Sequence, residues 1–247
     1  MVNTFLVHVN FIESAKLLDH KRLPNQRREA FQILCHVQRL KAMGDVMGQS
    51  LPPDPYCWYA WIREIIKQYR SLSETTNTQL IYHNKQWRLV DNEQLTKLTN
   101  IELTIKYGYI YHPAVLMWLG YEDALKEYLD AHIEVSISRG IKNNMIRYQV
   151  SNTIRPPWTY DQDFITRHRN VLLAKEIDRQ ETPWYQNNLL FTQATTHCLY
   201  YWPYTPTIGK SASIQGEPDT KHKYMNIDAN VIRLPLKITL KIKTKTI

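Results

Sequence analysis

Only three cysteines, Cys35, Cys57 and Cys198, are spread over the 247 residues, too few and too scattered for a disulfide framework. No C-x-x-C pair marks a zinc site, and the pattern suits a reducing compartment. No apolar run approaches the roughly 18 residues needed to span a bilayer, so no membrane partner is expected. The opening Met1-Val2-Asn3-Thr4-Phe5-Leu6 lacks both a basic n-region and a long apolar h-region, which predicts an intracellular chain that is not secreted. Glycine is scarce, at seven residues, and no glycine-rich phosphate loop or nucleophile elbow occurs. The histidine spacings make no metal site, so the expected cofactor is none and any chemistry falls to side chains and the chain's own amine.

Acidic residues are also under-represented: 23 Asp and Glu stand against 31 Lys and Arg, for a net charge of +8. A polyanion is therefore a plausible partner, although charge speaks to attraction and not to activity. Hydrophobic residues make up 43% and charged residues 22%, the profile of a chain that folds around a core.

Along the chain, Asn10-Phe11-Ile12-Glu13 reads as a capping box opening a short helix that ends near Leu18. Lys21 to Asn25 interrupts it, and a helical period resumes at about Gln26 with Ala30, Ile33, Leu34 and Val37 on one face, stopping at Met43-Gly44. Residues 45 to 106 read as an insertion: a proline-rich connector, an aromatic helix from Tyr56 to Tyr69, a polar linker from Ser71 to Thr78, and a hairpin of Leu80-Ile81-Tyr82 with Trp87 to Val90. A long amphipathic helix is expected between Pro113 and Gly140, with Trp118, Tyr121, Leu125, Tyr128, Leu129 and His132 on its stripe. Asp161 should cap a third core helix carrying Phe164, Ile165, His168, Val171 and Leu172, with Arg167, Arg169 and Lys175 as its basic edges. Tyr200 to Tyr204 reads as an aromatic loop or edge, residues 206 to 230 as polar loop, and Leu234 to Lys243 as a half-buried strand with a lysine face.

Five runs in this order resemble one family: the N-terminal T-F-L; R-L-x-x-Q-R-x-E-A-x-Q-I-L at Arg22 to Leu34; H-P-A-V-x-M-W-x-G-Y-E-x-A-L-x-x-Y at His112 to Tyr128; P-P-W at Pro156 to Trp158; and H-R-x-x-L-L at His168 to Leu173. Together they are similar to the pyrimidine-dimer DNA glycosylase/AP-lyases, in particular to a branch of small, mostly bacterial proteins. The resemblance covers most of residues 3 to 45 and 107 to 205. It implies a mainly α fold: one helical domain over residues 1 to 205, interrupted by the inserted helix and β-hairpin of 45 to 106 and followed by a polar loop and basic β extension over 206 to 247. It also implies DNA repair, with double-stranded damaged DNA as the partner and no small-molecule cofactor. A catalytically inactive DNA-binding or virion-type structural protein on the same scaffold is the alternative.

In the active members the mature N-terminal amine attacks the sugar and forms a Schiff base, and the matching nucleophile here is the amine of Val2. Their essential carboxylate comes from R-E-L-P, matched by Lys21-Arg22-Leu23-Pro24, so that Arg22 stands at the glutamate position and can neither accept a proton nor act as a carboxylate. The next carboxylate along the helix is Glu29, which serves either as the replacement or as the partner of a neighbouring arginine. Arg22, Arg27 and Arg28 near a helix start, with Arg167 and Arg169, are candidate phosphate contacts, solvated surface arginines being the other reading. Trp184-Tyr185 is similar to an aromatic segment that stacks around the lesion, from which Gln186-Asn187-Asn188 departs. His112 and His168 are the remaining catalytic candidates, a hydrogen-bonded core histidine being the commoner fate of a residue placed like His168.

Overall fold

Asn10 opens the first helix as expected, its side chain accepting from the backbone of Ile12 and Glu13 at 2.9 and 3.1 Å. The reciprocal half of the capping box is not made: Asn10 N–H donates to His8 Nδ1 and Glu13 pairs with Lys16. The computed structural model describes residues 4–83, 86–91, 93–94, 110–191, 199–203, 225–228 and 231–235. Its helices are α1 (Phe11–Lys16), α2 (Arg22–Val46), α3 (Trp58–Thr76), α4 (Pro113–Trp118), α5 (Glu122–Ser138) and α6 (Gln162–Asp178). Single 3-10 turns lie at Pro55–Cys57, Pro157–Tyr160 and Leu189–Phe191. The fold is mainly α, as the sequence implies.

Three helix boundaries differ from expectation for identifiable reasons. Helix α2 begins at Arg22 and not Gln26, because Pro24 falls in its first turn, where a missing N–H leaves no intrahelical bond broken. It also runs through Gly44 to Val46; a Cβ on Gly44 would sit 2.9 Å from the Trp61 ring and 2.6 Å from the Gln49 carbonyl, so this glycine admits α3 and does not end the helix. The expected polar linker from Ser71 is instead the last turn of α3, which stops at Asn77 in the left-handed conformation, φ 53°.

The expected single helix from Pro113 to Gly140 is two helices. Leu119 is extended and Gly120 takes φ +79°, after which Glu122 and Asp123 place negative charge at the positive end of α5. The bend is conformationally specific. Gly120→Ala would put a side chain into the left-handed region with a Cβ 3.1 Å from Leu51 Cδ2. It should cost about 1–2 kcal/mol and lower the melting temperature by about 3–6 °C in a thermal scan. An unchanged transition would show that the break is set elsewhere.

Helix α2 packs most extensively against α5, with α1 on α5, and α4 and α3 on α2. Between them lies a run of aromatic rings: Tyr128 meets Phe11, Phe11 meets Trp118, Trp118 meets Trp158 edge-on at 4.8 Å, and Trp158 meets Phe164 at 4.9 Å. Such offset and edge contacts suit the ring quadrupoles and add to the area they bury. The hairpin of β1 (Thr78–His83) and β2 (Gln86–Asp91) packs on α3 and α2, the Tyr69 hydroxyl accepting from Leu80 N–H at 2.6 Å. The described part of the insertion thus shares the main core through Trp58, Ile62, Ile65 and Leu80.

Strands β3 (Leu199–Pro203), β4 (Met225–Asp228) and β5 (Val231–Pro235) form an antiparallel sheet in the order β3-β5-β4. The aromatic edge is therefore a strand, packed on α6 and α4, and part of the expected polar loop is strand β4. The described part of the C-terminal strand is shifted to 231–235, and residues 236–247 lie outside the described residues. Among the described residues no helix is long and apolar enough to cross a membrane.

Candidate active site

The segment Thr4 to Val7 is buried and extended between the helices. A buried backbone needs partners, and here side chains supply them. Phe5 N–H donates to Gln26 Oε1 at 2.6 Å, Leu6 N–H to His168 Nδ1 at 2.9 Å and Val7 N–H to Ser14 Oγ at 3.0 Å. The Phe5 carbonyl accepts from the Tyr128 hydroxyl at 2.8 Å and the Val7 carbonyl from Arg169 Nε at 2.8 Å, while Thr4 Oγ1 accepts from Trp118 Nε1 at 2.7 Å. Helices α2, α4, α5 and α6 all hold the chain just after its amino end.

Around Phe5 these bonds assemble a polar cluster in an otherwise apolar interior. Gln26 uses both ends of its amide: Oε1 accepts from Phe5 and from the Tyr128 hydroxyl, and Nε2 donates to Glu29 Oε2 at 3.1 Å. The half-buried Glu29 carboxylate is thereby tied to the backbone of Phe5 through one side chain. Burial, helped by the Glu29 charge, holds the Tyr128 hydroxyl well above the ordinary phenol range, so it stays a neutral donor. On α6 the Lys175 ammonium lies 4.7 Å from the centre of the Phe5 ring. Burial, together with the charges of Arg179 and Arg22, lowers Lys175 to about 8 against the opposing pull of Glu29.

The two candidate histidines sit in different places. His168 is fully buried, tilted against Phe164 at 4.2 Å and edge-on to Phe5 at 5.6 Å. Burial, with the Lys175 charge, lowers it to about 3, and acceptance at Nδ1 places its proton on Nε2. It is a neutral anchor for the N-terminal segment. His112 caps α4, its Nδ1 accepting from Ala114 N–H at 3.1 Å. Burial and the neighbouring His36 lower it to about 4, and burial and Arg39 lower His36 to about 4. His36 lies two turns along α2 from Glu29 and on the same face, and it is the α2 group that acts on His112.

The basic candidates separate by burial. Arg22 is 9% exposed, with NH1 between Asp19 Oδ2 and Glu181 Oε2 at 2.5 and 2.8 Å and its guanidinium over the Tyr185 ring. Burial alone would raise Asp19, yet the hydrogen bonds and charge of Arg22 hold that carboxyl below its usual range. Arg27 is buried and spans to Asn143 Oδ1 and the Lys142 carbonyl at 3.0 and 2.9 Å. Arg169 clamps Val7, Arg167 pairs with Asp163, and Arg28 is exposed, reaching only Asn25. Tyr185 is fully buried with its hydroxyl accepting from Asp19 N–H, whereas Trp184 is 39% exposed beside Arg139. Val2 lies outside the described residues.

Sequence reasoning missed Gln26, Tyr128, His36 and Glu176 as functional positions and read Lys175 as a surface edge. The first three were visible only as polar residues on apolar helix faces. Glu176 is 1% exposed and accepts from the backbone of Trp184, Tyr185 and Gln186, fixing the turn that follows α6. Among the described residues no group of His, Cys, Asp and Glu is placed to hold a metal ion.

A family model described as pyrimidine dimer DNA glycosylase matches residues 2–149 of the chain, from the N-terminal segment through α5 and the loop beyond it. No curated protein and no solved structure matches the chain.

Proposed function

The chain belongs to the pyrimidine dimer DNA glycosylase family, and we propose that it acts on damaged double-stranded DNA as a glycosylase and AP-lyase whose nucleophile is the amine of Val2. The observation that carries this reading is the link from Phe5 N–H through Gln26 to Glu29. Phe5 is three positions along from Val2, so the amine lies within about 10 Å of a position bonded to the carboxylate's own partner. An α-amine has an ordinary pKa near 8 and is partly neutral at physiological pH.

The proposed steps follow from these groups. The Val2 nitrogen donates its electron pair to C1′ as the C1′–base bond breaks and the base leaves with that bond's electrons, taking up a proton. The Glu29 carboxylate takes a proton from the now cationic Val2 nitrogen and delivers it to O4′ as C1′–O4′ opens, leaving an iminium between Val2 and the sugar. Removal of a C2′ proton by the resulting carboxylate expels the 3′ phosphate, and water returns the amine. Tyr128 and Gln26 orient Glu29 and the N-terminal segment. Exposed Arg28, beside Glu29 in sequence, meets backbone phosphate, and the exposed face of Trp184 is available to a base taken out of the stack. Arg22 is committed to Asp19 and Glu181 and takes no part.

Incubation with a duplex carrying an abasic site or a cyclobutane dimer, in the presence of borohydride, should trap a covalent adduct. Val2→Leu, which retains Met1 and displaces the amine by a residue, should reduce trapping at the N-terminus at least tenfold. No adduct on either substrate, together with binding that weakens steeply with salt, would favour a DNA-binding protein without catalysis.

A further inference from the structure

We propose that the Nζ of Lys175 is a second imine-forming amine of this site, able to take the opened aldehyde of an abasic deoxyribose. The inference rests on the reading above that the cluster around Phe5 handles abasic sugar. The Phe5 ring is bracketed from α6 by His168 at 5.6 Å and by the Lys175 ammonium at 4.7 Å, these two residues lying two turns apart on one helix face. From α2, Gln26 holds the Phe5 backbone and Glu29 together. One residue of the N-terminal segment therefore has an amine at its ring and a carboxylate tethered to its backbone.

The charged groups acting on Lys175 from its surroundings are Arg22 and Glu29 on α2 and Arg179 just beyond the end of α6, while the neutral His168 precedes it on the same face. Two cations and burial against one carboxylate leave it at about 8, close to the ordinary value of an α-amine. At neutral pH about a tenth of either amine is unprotonated, so neither has a decisive chemical advantage. Lys175 is half-buried, and its ammonium is held against the Phe5 ring. The step balances without any co-reactant: the Nζ pair forms a bond to C1′ of the aldehyde, the Glu29 carboxylate passes one of the two nitrogen protons to the carbonyl oxygen, and that hydroxyl takes a second proton from solvent and leaves as water, giving the iminium with one proton kept on nitrogen.

Full-length protein would be reduced with borohydride on an abasic duplex, digested, and the residual sugar located by peptide mass. A sugar on the Lys175 peptide, surviving in Val2→Leu and absent from Lys175→Arg, is the expected result. Trapping should also rise about fivefold between pH 7 and 8, as the neutral amine does. A sugar confined to the N-terminal peptide and undiminished in Lys175→Arg would overturn the inference and leave the Val2 reading standing. Absence of adduct at both amines would overturn both. Lys16 and Lys126, each paired with a carboxylate on the surface, report non-specific trapping; equal labelling there also overturns the proposal. The assignment is made on unsubstituted protein, so a poorly folded variant does not decide it.

Discussion

Glu29→Gln should lower strand cleavage at an abasic site by about 10²–10⁴-fold while leaving the fold in place, because a proton-handling carboxylate contributes on that scale. The substitution keeps shape and the oxygen that accepts from Gln26 Nε2, so the clamp on Phe5 persists. It removes both the negative charge and the ability to exchange a proton. Single-turnover cleavage of an abasic duplex measures the effect, with circular dichroism confirming helix content. Asp19→Asn is the informative control. Asp19 pairs with Arg22 and accepts from its backbone at 2.8 Å, so its loss should weaken stability and spare the chemical step. Undiminished cleavage by Glu29→Gln would mean that another group moves the protons.

Unfolding in mild acid is the second large effect. His36, His132 and His168 are 6%, 0% and 0% exposed, and burial holds them at about 4, 4 and 3. In the unfolded chain each returns to its ordinary value near 6.5. Folded pKa values below unfolded ones mean that the unfolded state binds more protons as pH falls. The stability these neutral rings permit is fully present above about pH 6.5 and is lost progressively between about 6.5 and 4. Three protons correspond to a slope of roughly 4 kcal/mol per pH unit in the middle of that window, large against a typical stability of about 5–15 kcal/mol. Denaturant midpoints should therefore drop steeply from pH 7 to pH 5. His168→Asn, which can offer an acceptor to Leu6 N–H without titrating, should make the fall shallower by about one proton at a cost of about 1–3 kcal/mol at pH 7. A flat profile down to pH 4.5 would rule out neutral burial of these rings.

The contrast between Arg22 and Glu29 shows how far local pattern reaches. From sequence, the arginine at a glutamate position reads either as damage to the site or as a phosphate contact. In the fold its NH1 is held by Asp19, near in sequence, and by Glu181, which is remote. No periodicity could announce that second partner. The same holds for Lys175, which reads as a basic edge of α6 until the N-terminal segment is threaded beside it. Trp184 and Tyr185 are adjacent and chemically alike, yet one is exposed and the other fully buried, because Glu176 gathers the backbone of their turn.

By itself the sequence determined the mainly helical class, the caps at Asn10 and Asp161, the helix start at Pro113, the hairpin, and the ordered motifs that mark the family. These are local properties, set by a few residues' spacing, turn chemistry and side-chain type. Even the helix after His112 was legible in composition, though its break at Gly120 required a backbone conformation that Leu51 and Trp58 crowd from another part of the chain. Only the tertiary structure decided which polar residues meet. Gln26, Glu29, Tyr128, His168 and Lys175 converge because a buried extended segment with no strand to pair with must satisfy its backbone from side chains on separate helices, and that requirement couples residues more than a hundred positions apart.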